Sequence, residues 1–380
     1  MMERILIYEP AHLGHHLKHV QLLIRAFAGR GRDVILASTE KAFASAEYAT
    51  LLQSWESQFT KVVLNIGANN GRWEPWRHSW NVLTLAQQHA CHHVFLPCLD
   101  AYFRPLGVLS VLRPAVRRIR LEGVLFDGGC SFDGAPTSLG EWARRSIVKI
   151  VLARGLFHRV LFLDEAIHDS YMRHLGRTRS GLVLCPDPVE DDHSIPAAEF
   201  RARFGLDPDA KVLGVFGMID PSKGVDLLID AFARHGPAAH EYLLFLGRHT
   251  PAVLDRIRRS PVGSQIVSVD RFVTDDEMVS GIHAVDVVAS LYPRHRTSAS
   301  MVIRAAAAGK PVLASDVGWT GRVIRRHELG MLCDPLNEAS LLQGIRWAFD
   351  HPRLDRQKAD LFARQNSVER FIEVICAEME

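Results

Sequence analysis

The chain has 380 residues, 47% of them hydrophobic and 23% charged, which is enough to bury a sizeable core and to build two domains. A net charge of +2 and a pI near 8.3 are too mild for a nucleic-acid surface, and the chain lacks the basic and aromatic repeats of a single-strand binder. Six cysteines without CxxC spacing fit buried thiols in a reducing compartment, and no apolar run is long enough for a membrane span or a signal peptide, so a cytoplasmic protein is expected.

Residues 5–8 read as a short buried strand, residues 13–28 have helical spacing at Leu17, Val20, Leu23, Ile24 and Phe27, and residues 34–37 form the next strand. This βαβ opening predicts an α/β fold with a parallel, doubly wound sheet, whose ligands lie beyond the carboxyl ends of the strands. The loop 9–16 occupies one such end and holds Gly14, His15 and His16, with His19 just beyond. A tryptophan-bearing stretch follows, with Trp73, Trp76, Trp80 and His78, suited either to stacking on a sugar or to pinning a long loop to the core. His89, His92 and His93 read as one helix face, without a fourth group to complete a metal site. Residues 123–126 form another strand and end in Asp127, a carboxylate placed either to orient and charge-stabilise a histidine of the first loop or to cap the next helix. Two basic stretches, one with Arg104, Arg113, Arg117, Arg118 and Arg120, the other with Arg144, Arg145, Lys149, Arg154 and Arg159, read as solvated helix faces or as arginines aimed at an anionic substrate. Peripheral contact with an anionic membrane is the alternative for them.

A strand at 159–163, a helix at 165–175 and a strand at 182–184 precede an acidic, proline-bearing run at 186–192 that suits a linker. The pattern restarts with a helix at 197–204 and a strand at 211–215, which leads into Gly217, Lys223 and Gly224 before an amphipathic helix. Further on, an apolar strand at 285–291 runs into Thr297, Ser298, Ala299 and Ser300, which open a helix ending at Gly309. Free N–H groups and the dipole at such a helix start attract anions, and small side chains let a phosphate approach. The whole segment is a candidate diphosphate cradle.

These motifs resemble two families of sugar-transferring enzymes. Residues 217–232, followed in order by the strand ending at Gly247, the Asp275 helix start and the turn at Gly309, Lys310 and Pro311, resemble the donor domain of family 4 glycosyltransferases. The Gly14-His15 pair and the Arg30-Gly31 turn resemble the opening of family 1 glycosyltransferases, although Lys18 stands where that family has proline. Together they imply the GT-B architecture, two facing Rossmann-like domains: an acceptor domain over 1–186, a linker over 187–196, a nucleotide-sugar donor domain over 197–352, and C-terminal helices over 353–380 that return to the first domain. The resemblance implies a nucleotide-sugar-dependent glycosyltransferase with a hydroxyl acceptor and no resident cofactor; no metal is expected, because no DxD-type acidic pair stands where it would hold the diphosphate, and the mild charge speaks against a nucleic-acid partner. The resemblance makes His15 the general base, Asp127 its orienter, and Gly14, Gly217, Lys223, Arg296, Ser298, Ala299, Ser300 and Arg304 the donor-binding set.

The chain also departs from family 4. The family arginine after the first glycine is Met218, and the positions of three family glutamates hold Arg296, Arg304 and Arg322. A planar cationic donor cannot replace an acceptor in ribose recognition, so the arginines imply either a donor or acceptor with extra negative charge, or a noncatalytic scaffold that binds an anionic glycan or partner. A retaining family in the second half and an inverting one in the first leave the stereochemistry open.

Overall fold

A computed structural model describes residues 3–12, 16–65, 73–112, 118–126, 132, 138–175, 180–294, 297–350 and 352–377. The chain divides into two compact units, one of Met1–Pro186 with Phe371–Glu380, the other of Asp187–Arg370. His15, Gly14, Asp127 and Arg296 lie outside the described residues. Among the described residues no helix is long and apolar enough to cross a membrane.

The first unit is built on β1 (Arg4–Tyr8), β2 (Asp33–Ser38), β3 (Thr60–Val63), β4 (His93–Leu96), β5 (Arg120–Leu125), β6 (Arg159–Phe162) and β7 (Gly181–Leu184), all parallel, in the order β3-β2-β1-β4-β5-β6-β7. Strands covered on both faces need near-continuous apolar runs, and β1 meets that need with Ile5, Leu6, Ile7 and Tyr8 all buried. The helix His16–Ala28 buries Leu17, Val20, Leu23, Ile24 and Phe27, the face its spacing predicts. Strand order reverses between β1 and β4, so the carboxyl ends of those two strands flank the topological switch point.

Three expectations in this unit are corrected. His89, His92 and His93 do not share a helix face: the helix Glu74–Gln88 stops before them, and His93 is buried on β4, 3.4 Å from Glu122. The tryptophan stretch is the start of that helix, with Pro75 in its first turn, where no N–H is needed; Trp73 and Trp80 are exposed while Trp76 packs on the core. Arg145 and Arg159 are buried rather than solvated, because each meets an acid at 2.6 Å, Glu141 and Glu122 respectively. Arg159 also donates from Nη1 to the Val374 carbonyl (3.0 Å) and from Nη2 to the Ile375 carbonyl (2.7 Å). It thereby takes up carbonyls that the end of the helix Val368–Cys376 leaves without intrahelical partners, and Phe371 and Ile375 of that helix are fully buried.

The second unit is built on β8 (Lys211–Phe216), β9 (Glu241–Gly247), β10 (Ile266–Asp270), β11 (Val287–Ser290), β12 (Val312–Ser315) and β13 (Gly330–Cys333), parallel in the order β10-β9-β8-β11-β12-β13. Side chains alternate between two cores: Val212, Leu244 and Val288 enter one, Leu213, Leu243 and Val287 the other. Here the order reverses between β8 and β11.

Residues 187–196 are docked on this unit, since their polar groups find partners there. Val189 N–H donates to the Asn366 carbonyl (3.1 Å), and Ser194 bonds Asp276 through both its N–H (2.5 Å) and its hydroxyl (2.8 Å). The helix Arg356–Gln365 packs Ala359 and Phe362 into the same core as Trp319, so only the chain from Phe371 on belongs to the first unit.

Candidate active site

In the second unit the loops after β8 and β11 meet at the switch point. Gly217 follows β8 with φ +86°, and its N–H donates to the Leu246 carbonyl (2.9 Å). A Cβ on Gly217 would stand 3.3 Å from Lys223 Nζ, so glycine lets the amine lie against the backbone. Lys223 ends a one-turn helix, Pro221–Lys223, whose start is held by the Asp220 carboxylate accepting from Ser222 N–H (2.7 Å). Gly224 then turns the chain at φ +66°, where a Cβ would lie only 2.3 Å from the Leu291 carbonyl oxygen; the two loops touch through bare backbone.

Lys223 Nζ donates to the Phe216 carbonyl and lies 5.9 Å from the centre of the Tyr292 ring. Burial pushes its pKa down to about 8, with Asp220 pulling the other way. A cation this poorly solvated gains strongly from an anion, because a bound phosphate restores the stabilisation that water would have given. Burial likewise pushes the Tyr292 phenol up to about 12.

On the other side, Ala299 precedes the helix Ser300–Ala307 and no side chain caps its start. The Ser298 hydroxyl donates to Asp187 Oδ2 (2.8 Å). Burial raises the pKa of Asp187, with the Ser298 bond and the Arg304 charge opposing it. Arg304 Nη2 also pairs with Asp275 Oδ1 at 3.3 Å. The structure therefore gathers Gly217 and Lys223 on one loop and ties Ser298 and Arg304 together through Asp187. Arg304 is matched to acids, which explains how a cation is tolerated there. Met218, where the resemblance expects arginine, is exposed and brings no charge. Asp187 and Asp275 were not legible as site residues, for their partners Ser298 and Arg304 lie far away in sequence.

The first unit carries a second polar cluster at its own switch point. Glu9 follows β1 and is buried; its Oε1 accepts from Ala11 N–H (2.9 Å), and its Oε2 lies 3.0 Å from His16 Nδ1. Burial lowers the His16 pKa, but the hydrogen bond and charge of Glu9 outweigh it and raise the value. A carboxylate that grips one ring nitrogen while the other titrates is the arrangement of a general base. Nearby, Tyr8 Oη bonds His78 Nδ1 at 2.6 Å, and burial lowers the His78 pKa. After β4, Asp100 Oδ2 accepts from Phe126 N–H (2.9 Å), fixing the end of β5. The neighbouring Cys98 thiol is pushed up to about 12 by burial and by the Asp100 charge. His19 is set apart from His16 in aromatic packing, 5.8 Å from Phe126 and 6.1 Å from Phe371. Glu9 gave no signal in the sequence, because an acid seven residues from a histidine acquires meaning only when a strand end folds back over a helix start.

Comparison with known proteins bears on both units. Residues 210–351 match the family model described as Glycosyl transferases group 1. The D-inositol 3-phosphate glycosyltransferase of Streptomyces bingchenggensis is 28% identical over 200 residues, 49% of this chain and 44% of that protein. The protein of the same name from Actinosynnema mirum is 32% identical over 193 residues, 44% of this chain and 45% of that protein. The matched stretch thus spans less than half the length of either relative. Over the whole chain, HepE of Anabaena, solved in complex with UDP and glucose, superposes with a TM-score of 0.71 at 15% identity, covering 99% of both chains. At that identity the likeness shows the fold, which is GT-B.

Proposed function

We propose, on the premise of a GT-B chain whose second unit matches the group 1 glycosyl transferases, that this protein transfers a sugar from a nucleoside-diphosphate sugar to an acceptor hydroxyl. The observation that carries the reading is the Lys223 amine, half-buried at the switch point of the second unit beside the bare backbone of Gly217. There it would bind the diphosphate and offset the charge that grows as the sugar–phosphate bond breaks, worth on the order of 3 kcal/mol for one well-placed donor. Ser300 and the N–H groups of its helix would take further phosphate oxygens. No metal is assigned to the diphosphate.

In an inverting reaction the acceptor oxygen attacks the anomeric carbon, the bond to phosphate breaks with its electron pair leaving on the nucleoside diphosphate, and a base takes the acceptor proton. We assign that base to His16 held by Glu9; His15 and Asp127, expected in these roles from the sequence, remain the alternative pair. In a retaining reaction the departing diphosphate takes the proton. The relatives' name points to a phosphorylated acceptor, which accords with Arg296, Arg304 and Arg322 standing where acids are expected.

The test is a thermal-shift screen against nucleoside diphosphates and their sugars, with Lys223→Ala beside wild type. A ligand at 100 times its Kd stabilises the fold by about 2.7 kcal/mol. One nucleotide should raise the wild-type melting temperature and leave the variant unmoved. No shift from any nucleotide would sink the transferase reading and leave the noncatalytic scaffold.

Peripheral membrane contact has one support. The helix Leu139–Ala153 exposes Leu139, Trp142 and Ile150 on the side that bears Lys149. Flotation with vesicles rich in anionic lipid should carry the wild type up and Trp142→Ala less; equal behaviour of the two removes the idea.

A further inference from the structure

The second unit holds a cluster of metal-ligating side chains that the transfer reaction does not use. Asp191 and His193 lie in the docked segment that opens the unit, and His283 lies near the end of the helix Asp275–Ala284. His283 Nε2 stands 2.9 Å from Asp191 Oδ1, and the His193 ring stacks on the His283 ring at 4.0 Å between centres, 20° from parallel. One ligand atom from each residue lies within 4.8 Å of the other two.

We propose that Asp191, His193 and His283 form a binding site for a zinc-class divalent transition metal. Metal–ligand bonds of about 2.0–2.2 Å in a tetrahedron set ligand atoms roughly 3.3 Å apart, so side-chain rotations alone bring these atoms into place. Two nitrogens and one carboxylate oxygen select zinc, cobalt, nickel or copper over magnesium or calcium, which prefer oxygen. Asp191 and His283 remain 37% and 22% exposed at the side chain, leaving the fourth position open to water. His193 Nδ1 lies 3.1 Å from the Asp191 carbonyl, and donating its proton there fixes the tautomer and turns the other ring nitrogen into a ligand, the outer support that metal-bound histidines have. The segment is held without any metal as well, since Ser194 grips Asp276 twice, so the ligands are brought together before an ion arrives.

The site ties together the two elements that support Ser298 and Arg304. The segment bearing Asp191 begins at Asp187, which accepts from Ser298, and the helix bearing His283 begins at Asp275, which pairs with Arg304. The site itself stands on the geometry of this unit and is independent of the donor reading.

The test is titration of tag-free, full-length, chelator-stripped protein with Co²⁺ followed by visible absorption, then by Zn²⁺. One equivalent should develop the absorption of tetrahedral cobalt, and zinc should abolish it. His283→Ala and His193→Ala should each weaken cobalt binding tenfold or more, while His240→Ala, at an exposed histidine, binds as wild type. Circular dichroism checks that each variant is folded, and Asp191→Asn supplies a second route if a histidine variant is not. Absence of the band, binding unchanged by all three ligand substitutions, or displacement of cobalt by equimolar magnesium would each overturn the proposal. Nucleotide-induced thermal shifts are read separately, so the loss of either reading leaves the other intact.

Discussion

Lys223 titrates within an accessible range because burial has brought its pKa down to about 8. A bound diphosphate favours the charged amine, so nucleotide affinity should be steady below pH 8 and fall up to tenfold per unit above it, until the pKa of the complex is reached. Calorimetry between pH 7 and 10 reads this slope, and a flat profile would place the amine outside the nucleotide site. His16 runs in the opposite sense. As a base it must be neutral, and Glu9 raises its pKa, so activity should fall as pH drops through that raised value. Glu9→Gln should move this acid limb to lower pH and reduce kcat by about 10²-fold or more as the ring loses its grip; an unmoved limb would return the role to His15. Gly224→Ala should cost a few kcal/mol in stability, roughly what a forced left-handed residue and a backbone clash together bring, and should displace Lys223 with it. Lys223 was expected at the donor site from the resemblance of its stretch to the opening of the family 4 donor domain. The Glu9–His16 and Asp187–Ser298 pairs were not, since sequence spacing carries no information about which strand ends become neighbours.

Among the elements, the helix Val368–Cys376 depends on a polar anchor. Burial pushes the Glu122 carboxyl up, but His93 and the Arg159 guanidinium outweigh it and hold it at about 2. A carboxyl whose folded pKa lies below its unfolded value contributes stability above the unfolded pKa, near 4.3, and loses it as pH falls toward 2. Glu122→Gln removes that acid-dependent share and leaves Arg159 with an unbalanced buried charge, a loss of about 3–5 kcal/mol. Hydrogen exchange at 371–376 should quicken in this variant ahead of the rest of the first unit; uniform acceleration would mean that the anchor serves the whole sheet instead. Strands β1, β2, β5, β6 and β8 were legible as apolar runs, whereas β3 and β10 were not, because much of each is exposed. The helix Glu74–Gln88 was hidden because Trp73 precedes it and its first two turns carry Pro75, Trp76, Arg77 and His78, a composition shared with loops. His93 was misread because its spacing from His89 is helical, although the chain turns through Ala90 at φ +53° between them.

At the scale of the molecule, the two units differ in how the chain builds them. Asp187–Arg370 is one continuous stretch, whereas the first unit closes only when the chain returns with Phe371 and Ile375. A fragment of residues 187–370 should fold alone and keep nucleotide binding, as a shift in its melting temperature would report. A fragment of residues 1–186 should be less stable and prone to associate, because Arg159 and the apolar surface under Phe371 are then uncovered. Equal stability of the short fragment and one extended by residues 371–380 would show the returning helix to be dispensable. Both sheets were foreseeable as doubly wound, but the docking of residues 187–196 was not, since prolines and acids look alike in a tether and in a segment where Asp187 and Asp191 have found partners in Ser298 and His283.

That returning helix also sets an order of events during synthesis. Domains fold as units while the chain emerges, N-terminal ones first as a rule. Here the seven-stranded sheet leaves the ribosome first but waits for residues 371–376 to cap Arg159, while the six-stranded sheet behind it already has all of its chain. The half made second is therefore the half that can finish first, and for the time needed to translate some 184 residues, Asp187 to Arg370, the earlier half must keep an open apolar seam from finding another chain.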